Sequence, residues 1–201
     1  RMPVADAGED GCIMKASARS VCPVSAGDVT SSAGEVAMRL EAAVAETGID
    51  PGALAQKLGL GLHLVMRRLT TIDAEVGLAI ADVSGTLLFR KPVEGLALPR
   101  FGAGCPLWPL YQVIARPGAA IREDLEFAGQ PPRRYRAWAV TEARVAPGFG
   151  GPQVLWAYML VTPLRGEAGQ GPPLAVGTSC RICPREACPA RREPSVLAQT
   201  A

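Results

Sequence analysis

Three cysteines within nine residues, Cys180, Cys183 and Cys188 at C-x2-C-x4-C spacing, constrain this chain more than any other feature. Thiols set so close together suit either a metal or a redox pair, and Pro184 and Pro189, each directly after a cysteine, favour a tight, ordered knuckle. Arg181, Arg185, Arg191 and Arg192 are interleaved with the sulfurs. Guanidiniums beside thiols lower their pKa values and ease thiolate formation.

The rest of the composition bounds what surrounds that knuckle. The 201 residues suffice for one ordinary domain with an appendage, or for two small ones. A hydrophobic content of 48% supplies a core, and a net charge of +2 gives no whole-molecule field for nucleic acid. The basic residues are nonetheless grouped, at Arg133, Arg134 and Arg136 and again in the knuckle. No basic n-region precedes an apolar run at the start, and no stretch reaches the roughly 18 apolar residues of a membrane span. The expectation is a cytoplasmic chain without membrane contact, its six cysteines kept reduced. An Arg at position 1 points to a fragment.

Residues 1–33, rich in Gly, Ala, Ser and Asp without a sustained period, read as a flexible arm or linker. Val36, Leu40 and Val44 then recur at helical spacing until Gly48. Asp50-Pro51 supplies an N-cap and a first-turn proline for a short helix ending at Gly59, and Leu62, Val65, Met66 and Leu69 mark another. This pair has a helix–turn–helix look, but its second helix opens on Gly61-Leu62-His63-Leu64, where a DNA reader presents polar side chains. Packing or dimer contacts suit residues 34–72 better.

From Val76 the pattern becomes that of strands. Val76–Asp82 and Thr86–Arg90 flank a Ser84-Gly85 turn. Pro106 is placed to start a helix carrying Leu107, Leu110, Tyr111 and Ile114 on one face. Strands follow at Ile121–Phe127, Tyr135–Ala143, Val154–Thr162 and Leu174–Thr178, and residues 196–201 form a tail. Two strands, a helical crossover and further strands predict an α+β domain over 73–195. Its expected form is a PAS/GAF-like antiparallel sheet with helices on one face, a small helical segment ahead of it and the cysteine-rich knuckle at its C-terminal end.

Two segments, Pro99–Tyr111 (PRFGAGCPLWPLY) and Val176–Pro194 (VGTSCRICPREACPARREP), resemble the C-terminal domain of the short-chain fatty acyl transcriptional regulators. Ala53–Leu60 and Arg67–Leu69 are similar to the helical segment ahead of that domain, so the resemblance spans roughly residues 50–195. It implies the sensory end of a bacterial XRE-type regulator that responds to acyl-CoA esters such as acetyl-, propionyl- or methylmalonyl-CoA. The family's DNA-binding helix–turn–helix and metallopeptidase-like middle domain have no recognisable counterpart here: there is no His-Glu-x-x-His, and His63 is the sole histidine. DNA binding is therefore expected only through a domain not recognisable in this chain.

Within that resemblance, Cys105 joins Cys180, Cys183 and Cys188 as the ligand set expected for a structural zinc. An iron–sulfur cluster would use the same ligands. Free thiols, or a reversible Cys180–Cys183 disulfide in a redox sensor, are the metal-free readings. Arg181, Arg185 and Arg191 are candidates for the phosphates of a CoA ester, because guanidiniums bind phosphate in bidentate fashion. The bland alternative is that these arginines cap carbonyls around the knuckle or form a solvated rim, and the same choice applies to Arg133, Arg134 and Arg136. Phe101, Trp108, Tyr111, Trp138, Trp156 and Tyr158 read mainly as core, with Trp108 and Tyr111 the first candidates to wall an acyl site. With one histidine and no triad to assemble, the expectation is a non-enzyme. A homodimeric acyl-CoA sensor is the leading reading, and a zinc-stabilised interaction module or a thiol redox sensor the alternatives.

Overall fold

Alternation along the central strands decides how the molecule is layered. The computed structural model describes residues 33–100, 102–128, 131–145, 153–166 and 171–197; Cys12, Cys22, Phe101 and all but the last residue of the expected arm over 1–33 lie outside them, and that last residue, Ala33, opens a helix. Strands β1 (Gly77–Asp82), β2 (Leu87–Lys91), β3 (Ile121–Phe127), β4 (Arg133–Val145), β5 (Gln153–Pro163) and β6 (Leu174–Val176) form one sheet. Its order is β2-β1-β5-β4-β3-β6. Neighbours run antiparallel except β3 and β6, which are parallel. The fold is the expected α+β class, with a mostly antiparallel sheet.

Successive residues of β1, β4 and β5 point to opposite faces, and both faces are apolar. One face presents Leu78, Ile80, Trp138, Val140, Tyr158 and Leu160. Helices α1 (Ala33–Thr47), α2 (Pro51–Leu58) and α3 (Leu62–Leu69) supply Leu40, Leu54, Val65, Met66 and Leu69 to the same cluster. The segment expected ahead of the sensory fold is thus packed onto its sheet, and the described residues from Ala33 onward form one unit. Asp50 caps α2, its carboxylate accepting from the Gly52 and Ala53 N–H groups at 2.8 and 3.0 Å. Gly59, at φ 66°, stops the helix in the left-handed conformation. No helix among the described residues is long and apolar enough to cross a membrane.

The second face is floored by alanines: Ala79, Ala81, Ala137, Ala139 and Ala157. Small side chains on the sheet let a large partner come close. Trp108, Leu110 and Val113 fill that space, each fully buried. They come from helix α4 (Pro109–Gln112), the 3-10 turn Val113–Ala115 and the loop before them. Pro106 was expected to open this helix; the structure opens it at Pro109. A residue preceding proline is driven to extended backbone, and Trp108 sits at φ −64°, ψ 140°. Its N–H closes a turn onto the Cys105 carbonyl at 3.0 Å instead of continuing a helix. Helices therefore lie on both faces of the sheet, three on one and a short one on the other.

The arginine group of β4 has a cross-strand explanation. Arg136 stands opposite Asp124 and Arg134 opposite Glu126 in the β3–β4 register. Arg136 Nε donates to Asp124 Oδ1 at 2.9 Å and its Nη2 to Oδ2 at 3.3 Å, and Arg134 Nε donates to Glu126 at 2.9 Å. Opposite charges facing each other across strands stabilise the pairing.

Leu69, fully buried between α3 and the sheet, tests whether the helices are integral to the domain. Leu69→Ala should lower the unfolding free energy by about 2–5 kcal/mol in urea melts, with one cooperative transition. Tyr158 tests the same face by pH. Burial first, then its hydrogen bond to Glu142 Oε2 at 2.5 Å, pushes the hydroxyl from its ordinary 10.0 up to about 12. A raised folded-state value means that the stabilisation is complete below pH 10.0 and is lost as pH climbs toward about 12. Tyr158→Phe should flatten that decline; an unaltered slope would assign it to other groups.

Candidate functional site

Two chain segments about seventy residues apart meet on the alanine-floored face. The Cys105 N–H donates to the Thr178 carbonyl at 3.1 Å. The Trp108 indole N–H donates to the Gly177 carbonyl at 2.9 Å, in a fully buried bond. Gly104 makes this approach possible: a Cβ there would lie 2.3 Å from the Trp108 ring. Trp108 packs against Phe127 at 6.1 Å between centroids and lies nearly parallel to Tyr111 at 6.4 Å. Tyr111 is tied in turn, its oxygen accepting from the Gly104 N–H at 2.7 Å and donating to the Gly85 carbonyl at 3.3 Å.

This docking brings the expected cysteine set together. Cys105, Cys180, Cys183 and Cys188 line one pocket with Gly177, Ser179, Arg185 and Arg191. All four are free thiols. A 3-10 turn, Cys180–Ile182, carries the first of the three C-terminal cysteines, and the Cys183 N–H closes it on the Cys180 carbonyl at 3.3 Å. Cys183 Sγ sits over Gly177, where a Cβ would approach it to 2.7 Å. Among the described residues, however, no three His, Cys, Asp or Glu side chains are drawn close enough to hold one ion. The thiols share a pocket without sharing a single-ion shell.

Local donors treat these sulfurs as acceptors. Burial pushes the Cys105 thiol up, while the Gly177 and Leu107 backbone hydrogen bonds pull it down and the neighbouring Cys180 and Cys183 push it up. The Arg192 N–H reaches Cys180 Sγ at 3.5 Å. Backbone N–H groups aimed at sulfur suit a thiolate, as in the outer shells of metal sites. The residues present fit a thiolate-bound group, and loading it would release protons from the raised Cys105 thiol.

The arginines divide by what their guanidiniums touch. Arg185 donates to the Ala175 carbonyl; Arg191 donates to the Arg185 carbonyl and, at 3.3 Å, to the Cys180 carbonyl. These two brace the knuckle's backbone, the role set beside phosphate binding in the sequence. Arg181 is exposed, and its carbonyl accepts from the Val196 N–H at 2.8 Å, which ties the following chain back to the knuckle. Arg192 lies over the Tyr111 ring, 5.7 Å from its centroid. Trp108 and Tyr111 are neighbours as expected, Trp108 as a fully buried wall and Tyr111 half-buried. His63 lies against the opposite face of the sheet, its Nε2 3.4 Å from Glu142 Oε1 and its ring 5.7 Å from that of Tyr158.

Comparison with known proteins gives this geometry a context. The family model described as short-chain fatty acyl coenzyme A regulator, C-terminal, matches residues 76–201. A propionyl-CoA carboxylase regulator of Cereibacter sphaeroides is 28% identical over 169 residues, covering 76% of this chain and 36% of that protein. Two HTH-type transcriptional regulators of Mycobacterium tuberculosis are also similar. PrpR is 27% identical, over 72% of this chain and 33% of its own length, and RamB 28% identical, over 57% and 27%. The chain thus spans 27–36% of the length of these relatives. A solved Mycobacterium tuberculosis transcriptional regulator shares the fold at a TM-score of 0.66 and 24% identity, over 83% of this chain and 54% of that one.

The seat of Cys183 on Gly177 gives a direct test of the clasp. Gly177→Ala should displace the Cys183 sulfur and destabilise the domain by about 1–3 kcal/mol, read from urea melts. The reactivity of Cys183 toward a thiol reagent should rise in the same variant; unchanged stability and reactivity would show that the seat is not needed.

Proposed function

This chain belongs to the short-chain fatty acyl coenzyme A regulator family through its C-terminal domain, and we propose that it is the ligand-sensing part of a transcriptional regulator. In this reading a short-chain acyl-CoA binds on the alanine-floored face beside Trp108, Tyr111 and the knuckle arginines, and a homodimer passes the bound state to DNA binding by a separate domain. The observation that carries it is the meeting of the two motif segments, the Gly104–Trp108 loop and the cysteine knuckle, at the Trp108–Gly177 bond. A ligand that touches both segments reads their relative position, and only such differential contact shifts a two-state equilibrium. The chain acts by binding, with no catalytic step assigned to it.

The knuckle's role in this proposal is structural. Cys105, Cys180, Cys183 and Cys188 would hold a zinc ion that cross-links the loop to the C-terminal segment. One observation favours a second occupant: four thiols line one pocket, yet no three converge on a single point among the described residues. A cluster of several iron and sulfide atoms uses four cysteines spread more widely than one ion does.

Isothermal titration of the reduced protein with acetyl-, propionyl- and methylmalonyl-CoA tests the sensing proposal. Saturable heat with at least one is expected, and none with any of the three would overturn it. Metal and sulfide analysis of protein purified without oxidant tests the knuckle. About one zinc per chain supports the structural ion, whereas iron with sulfide and visible absorption supports the cluster. Absence of both, with a Cys180–Cys183 disulfide forming under mild oxidant, would replace them with the redox reading.

A further inference from the structure

The sequence points to Arg181, Arg185 and Arg191 for anion recognition, but the fold turns two of these onto backbone carbonyls and leaves a different pair around Tyr111. Arg90 lies on β2, directly opposite Ala79 in the β1–β2 register. Ala79 belongs to the alanine floor, and residues paired across strands project to the same face. Arg90 is therefore an inward-facing charge on the face that carries Tyr111 and the knuckle. Its Nε is buried and has no hydrogen-bond partner. A buried guanidinium donor without a protein partner is costly, and a water, an ion or a ligand can answer it.

Arg192 approaches the same place from the knuckle. Its guanidinium lies over the Tyr111 ring, and its backbone N–H is anchored on Cys180 Sγ. Burial raises the Tyr111 hydroxyl, while the Gly104 N–H, Arg192 and Arg90 all act in the opposite direction, so both cations are felt at one oxygen. The acid of the adjoining β1–β2 turn, Asp82, does not answer them: its Oδ1 accepts from the Ser84 N–H and hydroxyl at 2.9 and 2.5 Å and from the Thr86 N–H at 3.3 Å. Neither Arg90 nor Arg192 forms an ion pair among the described residues.

We propose that Arg90, on the alanine-floored face, and Arg192, over the Tyr111 ring, form an oxyanion site that takes a phosphate or pyrophosphate group. Tyr111 is the platform: its oxygen is committed to Gly104 and Gly85, so its ring orients Arg192 and the two guanidiniums supply the donors. The half-buried setting of Arg90 favours a compact small-molecule phosphate over the backbone of a duplex. The proposal rests on the acyl-CoA reading only for the natural source of the phosphate; the site itself stands or falls separately.

Calorimetric titration with inorganic pyrophosphate and, separately, with propionyl-CoA tests it on the whole chain, on Arg90→Gln, on Arg192→Gln and on the control Arg68→Gln, which lies on exposed α3 surface. Pyrophosphate should bind the parent chain, and each test variant should weaken it about tenfold or more, since hydrogen bonds to charged groups carry that much. The control should bind as the parent does. Arg192 is exposed, so its variant should keep the parent melting temperature even if Arg90→Gln loses stability. Failure of pyrophosphate to bind, or equal binding by Arg192→Gln, overturns the site. An inward arginine on an edge strand also guards against edge-to-edge pairing; self-association of Arg90→Gln with unchanged pyrophosphate binding would assign it that role instead. Arginine-dependent pyrophosphate binding without any propionyl-CoA binding keeps the site and removes the acyl-CoA reading. Propionyl-CoA binding that both variants leave untouched does the reverse.

Discussion

One buried hydrogen bond, from the Trp108 indole to the Gly177 carbonyl, joins everything that is distinctive about this molecule. It lies between residues 69 apart in the chain, in a place that no water can reach, so losing either partner would leave a desolvated polar group. Both flanking glycines serve it. Gly104 lets the Trp108 ring pass close to the backbone, and Gly177 leaves room for Cys183 on the other side of the same peptide segment. The loop that carries Cys105 and the segment that carries Cys180, Cys183 and Cys188 are therefore held in one place before any ion or ligand is considered.

The sheet makes that docking possible through an asymmetry between its faces. Toward α1–α3 it presents large side chains, Trp138, Tyr158, Leu160, Ile80 and Leu78. Toward the knuckle five alanines lie among Met159, Val161 and Tyr135, and Trp108, Leu110 and Val113 pack over them. The first face is a conventional helix-on-sheet core. The second lets a loop and a short helix lie almost on the strands, which brings Tyr111, Arg90 and Arg192 to the border of a packed core.

Much of this was legible in the sequence, for identifiable reasons. Asp50-Pro51 and Gly59 bracket α2 because capping is local chemistry, and the α2 cap forms as expected. The strands β4 and β5 were legible within two residues from their apolar stretches and the breakers around them, while β3, Ile-Arg-Glu-Asp-Leu-Glu-Phe, carries a weaker signal. Pro106 misled because two prolines compete to open one helix, and the conformation of Trp108 between them is set by its turn onto Cys105. Cys180, Cys183 and Cys188 were singled out by their spacing and Cys105 was added through the family resemblance, and their sharing one pocket follows from the loop docking. The arginines were the least legible. A guanidinium near a cysteine reads the same whether it binds phosphate or a carbonyl, and only folding put Arg185 and Arg191 on carbonyls. Arg90 carried no signal, since its importance lies in the face that the β1–β2 register selects for it.

The sequence by itself determined the α+β class and the element order, and the family resemblance set the two cysteine-bearing segments side by side. Those depend on periodicity, caps, breakers and short motifs, all written within a few residues of each other. Tertiary structure alone decided that the helical segment shares the domain's core and that helices occupy both faces. It also decided which arginines brace the backbone and which one lies over the Tyr111 ring. Those outcomes depend on strand register and on contacts between residues tens of positions apart, where the energy of one packed arrangement selects among patterns that look alike along the chain.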